Sequence, residues 1–290
     1  MANNLIYTRR TDAQELSMEE VQRLAPAVFT EDKDPALSAR YGAINTLQAI
    51  EIMRGYGFVP VQAAQKKSNK GRDPRHNQHL VAFAHKWNLL DRDRPEIIGY
   101  NSHDGKTSFR LLAGFFRGIC SNGLIAGDGF EYRVRHHVAT VSNFEDMVED
   151  VANKLPQLSD NINRMKAVKL TSAEVIDFSY NAAALRWEML PSDEYEENVT
   201  SGETRGIYAN ENTAFGLSRV RRWGDDNPDL WTVYNRVQEG LIRGGADLIS
   251  FTDRNQHGKY RKARPVNSIA DSVRINQSLW DMAVAKMEEA

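Results

Sequence analysis

The sequence predicts an α+β fold, in which two N-terminal helices precede a mainly antiparallel sheet and the second half of the chain is helical. Two observations support this class. Between residues 58 and 138, short apolar or alternating runs are separated by turn residues, as in successive antiparallel strands. From residue 144 onwards, apolar residues recur every three or four positions, which is the spacing of amphipathic helices.

The two N-terminal helices are predicted from a cap and from apolar spacing. Ser17 and Glu20 match a capping box, in which each side chain bonds the backbone amide of the other residue. A second helix is expected at 46–56, where a glycine ends the apolar stripe. Residues 1–16 are polar, and we expect a loosely held arm.

Several strands with short connections form the predicted sheet. They cover residues 58–65, 79–87, 96–100, 107–119 and 130–138. Tight turns select Asn, Asp, Ser and Gly, because these residues bond to nearby backbone groups or tolerate a positive φ. We therefore interpret two polar segments as structural turns: Asn101, His103, Asp104 and Gly105 in the first, and Asn122 and Gly123 in the second.

The second half of the chain is predicted to be helical and to pack on the sheet. Helices are expected at 144–169, 171–189, 230–242 and 268–290, with an acid-rich loop at 191–211. The expected domains are therefore the arm at 1–16, the helix pair and sheet at 17–140, and the helical half at 141–290.

The composition excludes several classes of protein. The 290 residues carry a formal net charge of −2, so no global basic excess indicates a nucleic-acid partner. The single cysteine excludes an internal disulfide and is typical of a reducing compartment. With no signal peptide and no membrane-spanning run, we expect a cytoplasmic protein that does not bind membranes.

No arrangement of residues in the sequence predicts catalysis. Ser102, His103 and Asp104 are consecutive, and a nucleophile relay is recognised by convergence in space and not by adjacency. The glycines match neither a phosphate loop nor a dinucleotide fingerprint, and the histidines lack a carboxylate-rich metal frame. We expect no cofactor and no metal, and the sequence favours a binding protein over an enzyme.

Three basic clusters suggest what the protein binds. Lys and Arg neutralise phosphates, while an adjacent Tyr or Trp can stack on an unpaired base. Acidic residues concentrate elsewhere, at 193–197 and 145–150, so segregated charge can produce a positive groove. The candidate nucleic-acid-binding residues are Lys66, Lys67, Lys70, Arg72 and Arg75; Arg221, Arg222 and Trp223; and Lys259, Tyr260, Arg261, Lys262 and Arg264.

Two motifs resemble a phage- and plasmid-associated family that is catalogued as domain of unknown function 932. The family carries an N-S-H-D-G turn, here residues 101–105, and then an R-x-x-C-S-N-G-L segment, here Arg117 with Cys120 to Leu124. Leu230, Trp231 and Asn235 resemble its helical section, and the resemblance spans roughly residues 44–245. It implies a mobile-element setting, near replication, recombination or anti-defence genes, and identifies no catalytic residue.

The first hypothesis is therefore a DNA-binding protein of phage or plasmid metabolism, which binds single-stranded DNA during annealing or recombination and could form a homo-oligomer. A second hypothesis is an interaction protein that blocks a host defence protein through the acidic loop at 193–197. A third is a metal-assisted phosphodiesterase built around His103, Asp104 and His136.

Overall fold

A computed structural model describes residues 14–38, 42, 44–66, 73–91, 93–117, 122–125, 131–134, 144–190, 206–252 and 255–290. The chain forms two compact units. Among the described residues, the N-terminal unit comprises 14–160 and Ser268–Ala270, and the C-terminal unit comprises Asn161–Asn267 and Asp271–Ala290. The division falls between Asp160 and Asn161, whereas the sequence suggested a boundary at residue 140.

The predicted α+β class is confirmed, and the helices lie close to their predicted positions. The Ser17 hydroxyl accepts a hydrogen bond from the Glu20 amide, and the Ser17 amide donates to the Glu20 carboxylate, as the capping box requires. Leu16, expected in a loose arm, is buried and donates its amide to the Pro60 carbonyl over 2.7 Å. The first four helices are α1 Met18–Leu24, α2 Thr46–Gly55, α3 Phe144–Ala167 and α4 Ser172–Ala184.

The first sheet is antiparallel at every described pairing, with the order β1-β2-β3-β4-β5, and β6 also pairs with β4. Strand β2 is buried on both faces up to its last residue, so layers of side chains cover the sheet on either side. Pro60 lies in β1, an edge strand, where a missing ladder amide is tolerated. The strands are β1 Phe58–Gln65, β2 His79–His85, β3 Asp93–Asn101, β4 Phe109–Arg117, β5 Asn122–Ile125 and β6 Glu131–Val134.

Of the two predicted turns, one is a connection between strands and the other is wrong. The segment after Asn101 joins β3 to β4, and Gly105 adopts φ +73° there. A Cβ at this glycine would lie 2.7 Å from Leu37 Cδ2, so space as well as φ favours glycine. Asn122 and Gly123, by contrast, begin β5 and pair with Arg117 and Phe116 of β4.

A buried ion pair lies within the first sheet. The Arg94 guanidinium and the Glu96 carboxylate are 3.2 Å apart, and both residues are almost completely buried. The guanidinium also lies 4.5 Å from the Phe116 ring centre, which is a cation–π distance. Removal of either partner leaves a buried charge unpaired, which typically costs about 3–5 kcal/mol.

The C-terminal unit is built around a helix that is buried on all sides. In α6, Leu230–Arg243, every residue from Leu230 to Ile242 is buried. Its polar side chains have partners: Gln238 donates to Asn276 Oδ1 over 2.7 Å. The helix is therefore the centre of this unit. It is surrounded by α4, by the shorter helix α5 (Glu211–Ser218) and by the C-terminal helix α7 (Ile269–Glu288).

The C-terminal unit also contains a second sheet that the sequence did not predict. Its order is β10-β9-β8-β7, antiparallel except for the β7–β8 pair. Part of the predicted loop at 191–211 is therefore strand β8, while residues 191–205 lie outside the described part. The segment between the helices predicted at 230–242 and 268–290 supplies β9 and β10. The strands are β7 Glu188–Met189, β8 Gly206–Ala209, β9 Asp247–Thr252 and β10 Asn255–Lys262.

No helix in the described part of the chain is both long enough and apolar enough to cross a bilayer.

A pair of adjacent glycines ends α6 and permits a direct test. Gly244 and Gly245 have φ of +77° and +90°, and a Cβ on Gly244 would lie 2.5 Å from the Ala263 carbonyl oxygen. A Cβ on Gly245 would meet nothing within 4 Å. We expect Gly245→Ala to lower the free energy of unfolding by about 1 kcal/mol through φ alone, and Gly244→Ala by at least about 2 kcal/mol. Urea denaturation measures both, and equal losses would contradict the close backbone contact.

Candidate functional site

The first polar motif forms a buried hydrogen-bond network inside the N-terminal unit. Asn101, at the end of β3, pairs across the sheet with His79 of β2. Its side-chain amide donates to Thr46 Oγ1 over 2.8 Å and to the Ile44 carbonyl over 3.0 Å. His79 Nδ1 lies 3.0 Å from the Asn77 carbonyl and therefore donates, so Nε2 of the neutral ring accepts from Thr46 Oγ1 over 2.8 Å.

Hydrogen bonds of the His103 backbone and ring connect three loops. Its amide donates to the His76 carbonyl over 3.1 Å, and its carbonyl accepts from the Asp34 amide over 3.0 Å. Its ring Nε2 lies 3.1 Å from the Ala27 carbonyl, to which it donates. The ring also stacks on His79 with 5.2 Å between centres, and both histidines are fully buried. His103 is therefore out of contact with solvent, which is not the position of the phosphodiesterase base considered from the sequence.

The exposed half of this motif lines a polar pocket of about 450 Å³. Three loops form the pocket, and they are the loops that His103 joins. Most of the lining residues are charged, so the pocket suits a polar ligand rather than an apolar one. The lining residues are Asp34, Pro35, Asp73, Arg75, His76, Asn77, Asp104 and Lys106.

Ion pairs inside the pocket neutralise much of its charge. Arg75 donates to both carboxylate oxygens of Asp73, with Nη2 at 2.7 Å from Oδ2. This side-chain hydrogen bond, with the Arg75 amide, lowers the pKa of the Asp73 carboxyl to about 2. Lys106 Nζ lies 3.8 Å from Asp104 Oδ2. Among the described residues, no group of three or more His, Cys, Asp or Glu could hold a metal ion.

The first predicted basic cluster is only partly described. Lys67, Lys70 and Arg72 lie outside the described residues. Lys66 is exposed at the end of β1, whereas Arg75 lies in the pocket with its guanidinium paired to Asp73. Arg75 therefore has a structural partner that the sequence analysis did not foresee.

The second cluster is divided between internal contacts and solvent. Arg222 makes a bidentate pair with Glu239 of α6 and contacts Asp225, and Arg221 donates to the Gly216 carbonyl over 3.1 Å. Burial alone would raise the pKa of the Glu239 carboxyl, but the hydrogen bonds and charge of Arg222, together with the charges of Arg243 and Arg221, lower it. Arg222 thereby fixes the segment that carries Trp223, whose side chain is 96% exposed.

The third cluster lies on β10, at the edge of the second sheet. Lys259 and Arg261 are exposed and form no ion pair with any acidic residue in the described part. The strand alternation places them on one face, with Tyr260 and Lys262 on the other. Lys262 Nζ is paired with Asp247 over 2.8 Å. Arg264 is exposed just beyond the strand.

Tyr260 is held in one orientation although its ring is half exposed. Its hydroxyl accepts a hydrogen bond from Asn212 Nδ2 over 2.6 Å, at the start of α5. Arg221 contacts Gly216 near the other end of this eight-residue helix, which is about 12 Å long. The second and third clusters therefore lie at opposite ends of α5, within the same unit.

Several partners in these sites were missed in the sequence. Thr46 and His79 complete the motif network, yet each lies far along the chain from residues 101–105. His79 is the first residue of β2 and Thr46 is the first residue of α2, and polar residues are common at both kinds of position. The only usable signal was that both flank apolar runs, so both were close to a buried core.

The fold and the buried network together define a class of protein: an α+β chain of two units with a buried Asn-Ser-His motif. The model of the family described as "Domain of unknown function (DUF932)" matches residues 12–280, so the chain belongs to this family. The resemblance seen in residues 101–105 and 117–124 is thereby confirmed, and it extends over nearly the whole chain.

Two curated relatives come from Escherichia coli (strain K12). The chain is 32% identical over 283 residues to UPF0380 protein YfjQ, covering 97% of this chain and 94% of that protein. It is 31% identical over 289 residues to UPF0380 protein YafZ, covering 99% and 96% of the two chains. No solved structure matches the chain significantly.

Substitution of Thr46 tests the buried network. Thr46→Val keeps the shape of the side chain but removes the hydroxyl that serves both His79 and Asn101. We expect a loss of about 2–4 kcal/mol in the free energy of unfolding, since two buried polar groups lose a partner. Thr46→Ser keeps the hydroxyl and loses one methyl group, worth about 1 kcal/mol. Equal losses for the two variants in chemical denaturation would show that the hydroxyl contributes nothing.

Titration of Asp73 tests the pocket geometry. Arg75→Gln removes the guanidinium that lowers the pKa of Asp73 to about 2, so we expect this pKa to rise towards its ordinary value of about 3.9. Carbon-detected NMR of the carboxyl group against pH measures the change. Lys106→Gln is the matched control, because Lys106 pairs with Asp104 and should leave the Asp73 pKa unchanged. An unchanged pKa in Arg75→Gln would contradict the pairing.

Proposed function

We propose that the protein binds single-stranded DNA along the edge of its second sheet, in the DNA metabolism of a phage or plasmid. The observation that carries this proposal is the outer strand β10, where the exposed cations Lys259 and Arg261 flank the half-exposed ring of Tyr260. Cations that are not engaged with acidic residues remain available to phosphates. An aromatic ring held by its hydroxyl is available to stack on a base at little entropic cost.

The aromatic residues of this unit support the same function. Nine large apolar side chains of the described part are exposed, and five of them lie in the C-terminal unit. Those five are Ile207, Phe215, Val220, Trp223 and Tyr260. Three of them are aromatic, and Trp223 and Tyr260 belong to the second and third basic clusters, where a ring can stack on an unpaired base beside a phosphate-binding cation.

The geometry of β10 favours a single strand over a duplex. The two exposed cations and Tyr260 lie on opposite faces of an edge strand, so one ligand must pass over the edge to reach both. A flexible single strand can do so. A duplex, with a persistence length of about 50 nm, cannot bend around one strand of a sheet.

Residues of the predicted set have different roles in this proposal. Lys259, Arg261 and Arg264 contact phosphates, while Tyr260 and Trp223 stack on bases. Arg222 acts indirectly, because its pairs with Glu239 and Asp225 hold the Trp223 segment in place. The proposal locates the protein in the cytoplasm of a bacterial host. Annealing or recombination, as implied by the family resemblance, is the process in which it would act.

Binding of a fluorescent oligothymidylate, measured by anisotropy across salt concentrations, tests the proposal. We expect Lys259→Gln combined with Arg261→Gln to weaken binding and to reduce the salt slope by about 1.4, since each contact with a single strand contributes about 0.7. Lys262→Gln is the matched control, because Lys262 is already paired with Asp247 and should change the slope little.

Tyr260 separates stacking from charge in the same assay. Tyr260→Ala should weaken binding by about fivefold to 150-fold at any salt concentration, which corresponds to the loss of one stacked base. Tyr260→Phe keeps the ring and should retain most of the affinity. Wild-type protein that fails to bind the oligothymidylate, or that binds it independently of salt, would rule out the proposal.

A further inference from the structure

The hairpin that joins β2 to β3 exposes two large apolar side chains at its tip. Trp87 is 87% exposed and Leu90 is 92% exposed, and within the described part only Trp223 among large apolar residues is comparable. The Trp87 ring stacks loosely on His85, with 6.4 Å between the ring centres. Neither side chain contributes to the core of the N-terminal unit.

The tip has a defined backbone in spite of this exposure. The Lys86 amide donates to the Gly57 carbonyl over 2.9 Å, which ties the start of the tip to the end of α2. The buried guanidinium of Arg94 donates to the Asp91 carbonyl over 3.1 Å, which ties the other side to β3. The two apolar side chains therefore project from an ordered loop, so binding a partner would cost little conformational entropy of the loop.

The charges around the tip cancel. Of the residues that the structure describes at the tip, Lys86 and Asp91 are charged and exposed, and their charges balance. Nucleic acid and acidic lipid surfaces are recognised by an excess of Lys and Arg. A neutral rim around apolar side chains is instead complementary to a protein surface with an apolar pocket and a balanced rim.

The exposed area argues against a dimer formed by this tip alone. One tryptophan and one leucine offer a few hundred Å² together, which is the size of a typical functional patch on a monomer. Stable interfaces bury about 800 Å² on each partner. The size therefore fits the anchor of a transient complex, in which a projecting tryptophan supplies much of the binding energy.

We propose that the β2–β3 tip is a docking point for a different protein, whose apolar pocket receives Trp87 and Leu90 in a transient complex. This surface lies in the N-terminal unit and involves none of the residues proposed to bind DNA. Its test is therefore independent of the proposed function.

Photo-crosslinking in bacterial cells that express the full chain tests this inference. With p-benzoylphenylalanine at position 87, we expect a discrete adduct with one other protein. The same probe at position 24, where Leu24 is an isolated exposed residue of α1, should give no such adduct. The crosslinked protein is then purified and its dissociation constant with the full chain is measured.

Trp87→Ala should raise that dissociation constant at least about tenfold, as for a central anchor residue, and Leu90→Asp should also weaken binding. Trp223→Ala, which removes an equally exposed tryptophan from the other unit, should leave it unchanged. The variants should keep the wild-type melting temperature. An adduct only with a second copy of the chain or with lipid, no adduct, or an affinity insensitive to Trp87→Ala overturns the inference.

Discussion

His79 and His103 stack as fully buried rings, and the loops on one side of the first sheet depend on them. A buried polar group that loses its hydrogen bond costs about 1–3 kcal/mol, so each donor and acceptor here must find its partner in one arrangement of the chain. Thr46 and the Asn77 carbonyl satisfy the His79 ring, Asn101 donates to Thr46, and His103 holds the Asp34 and His76 loops through its backbone. The polar pocket has its shape because these three loops cannot move apart without exposing unpaired groups to an apolar interior.

Both units contain buried polar side chains that are hydrogen-bonded to one another, but the two units expose different kinds of surface. In the C-terminal unit, α6 is buried with its polar side chains bonded, and Arg222 reaches in from the surface to pair with Glu239. What remains exposed is an edge strand with two cations that have no described acidic partner. In the N-terminal unit the exposed feature is an apolar hairpin tip with balanced charges. Asn101, Ser102 and His103 of the family motif are internal, so these three residues support the neighbouring loops and do not themselves meet a large ligand.

Much of the fold could be predicted because its signals are local. Capping boxes at Ser17 and Thr171 place two helix starts, and the apolar spacing of α6 gives its length. Strands β9 and β10 were not predicted because β10 is an edge strand with Gly258 and a row of cations, a composition that in a single sequence is typical of a solvated loop.

The site was harder to predict than the fold. Asn101 and His103 have the composition of a surface turn, and only the long-range partners Thr46, Ala27 and His79 make them interior residues. Arg75 and Arg222 were expected to meet phosphates, but acidic residues that pair with them in space cannot be recognised from charge counts.

His103 and its neighbours belong to the rigid interior of the N-terminal unit. Native-state hydrogen exchange of three amides measures this most directly: Ser102, which donates to Asn101 Oδ1, and His103 and Asp34, which donate to the His76 and His103 carbonyls. The network predicts that these amides exchange as slowly as those of β2 and β3, through opening of the whole unit. Exchange at the rate of an exposed loop, while β2 and β3 stay protected, would contradict it.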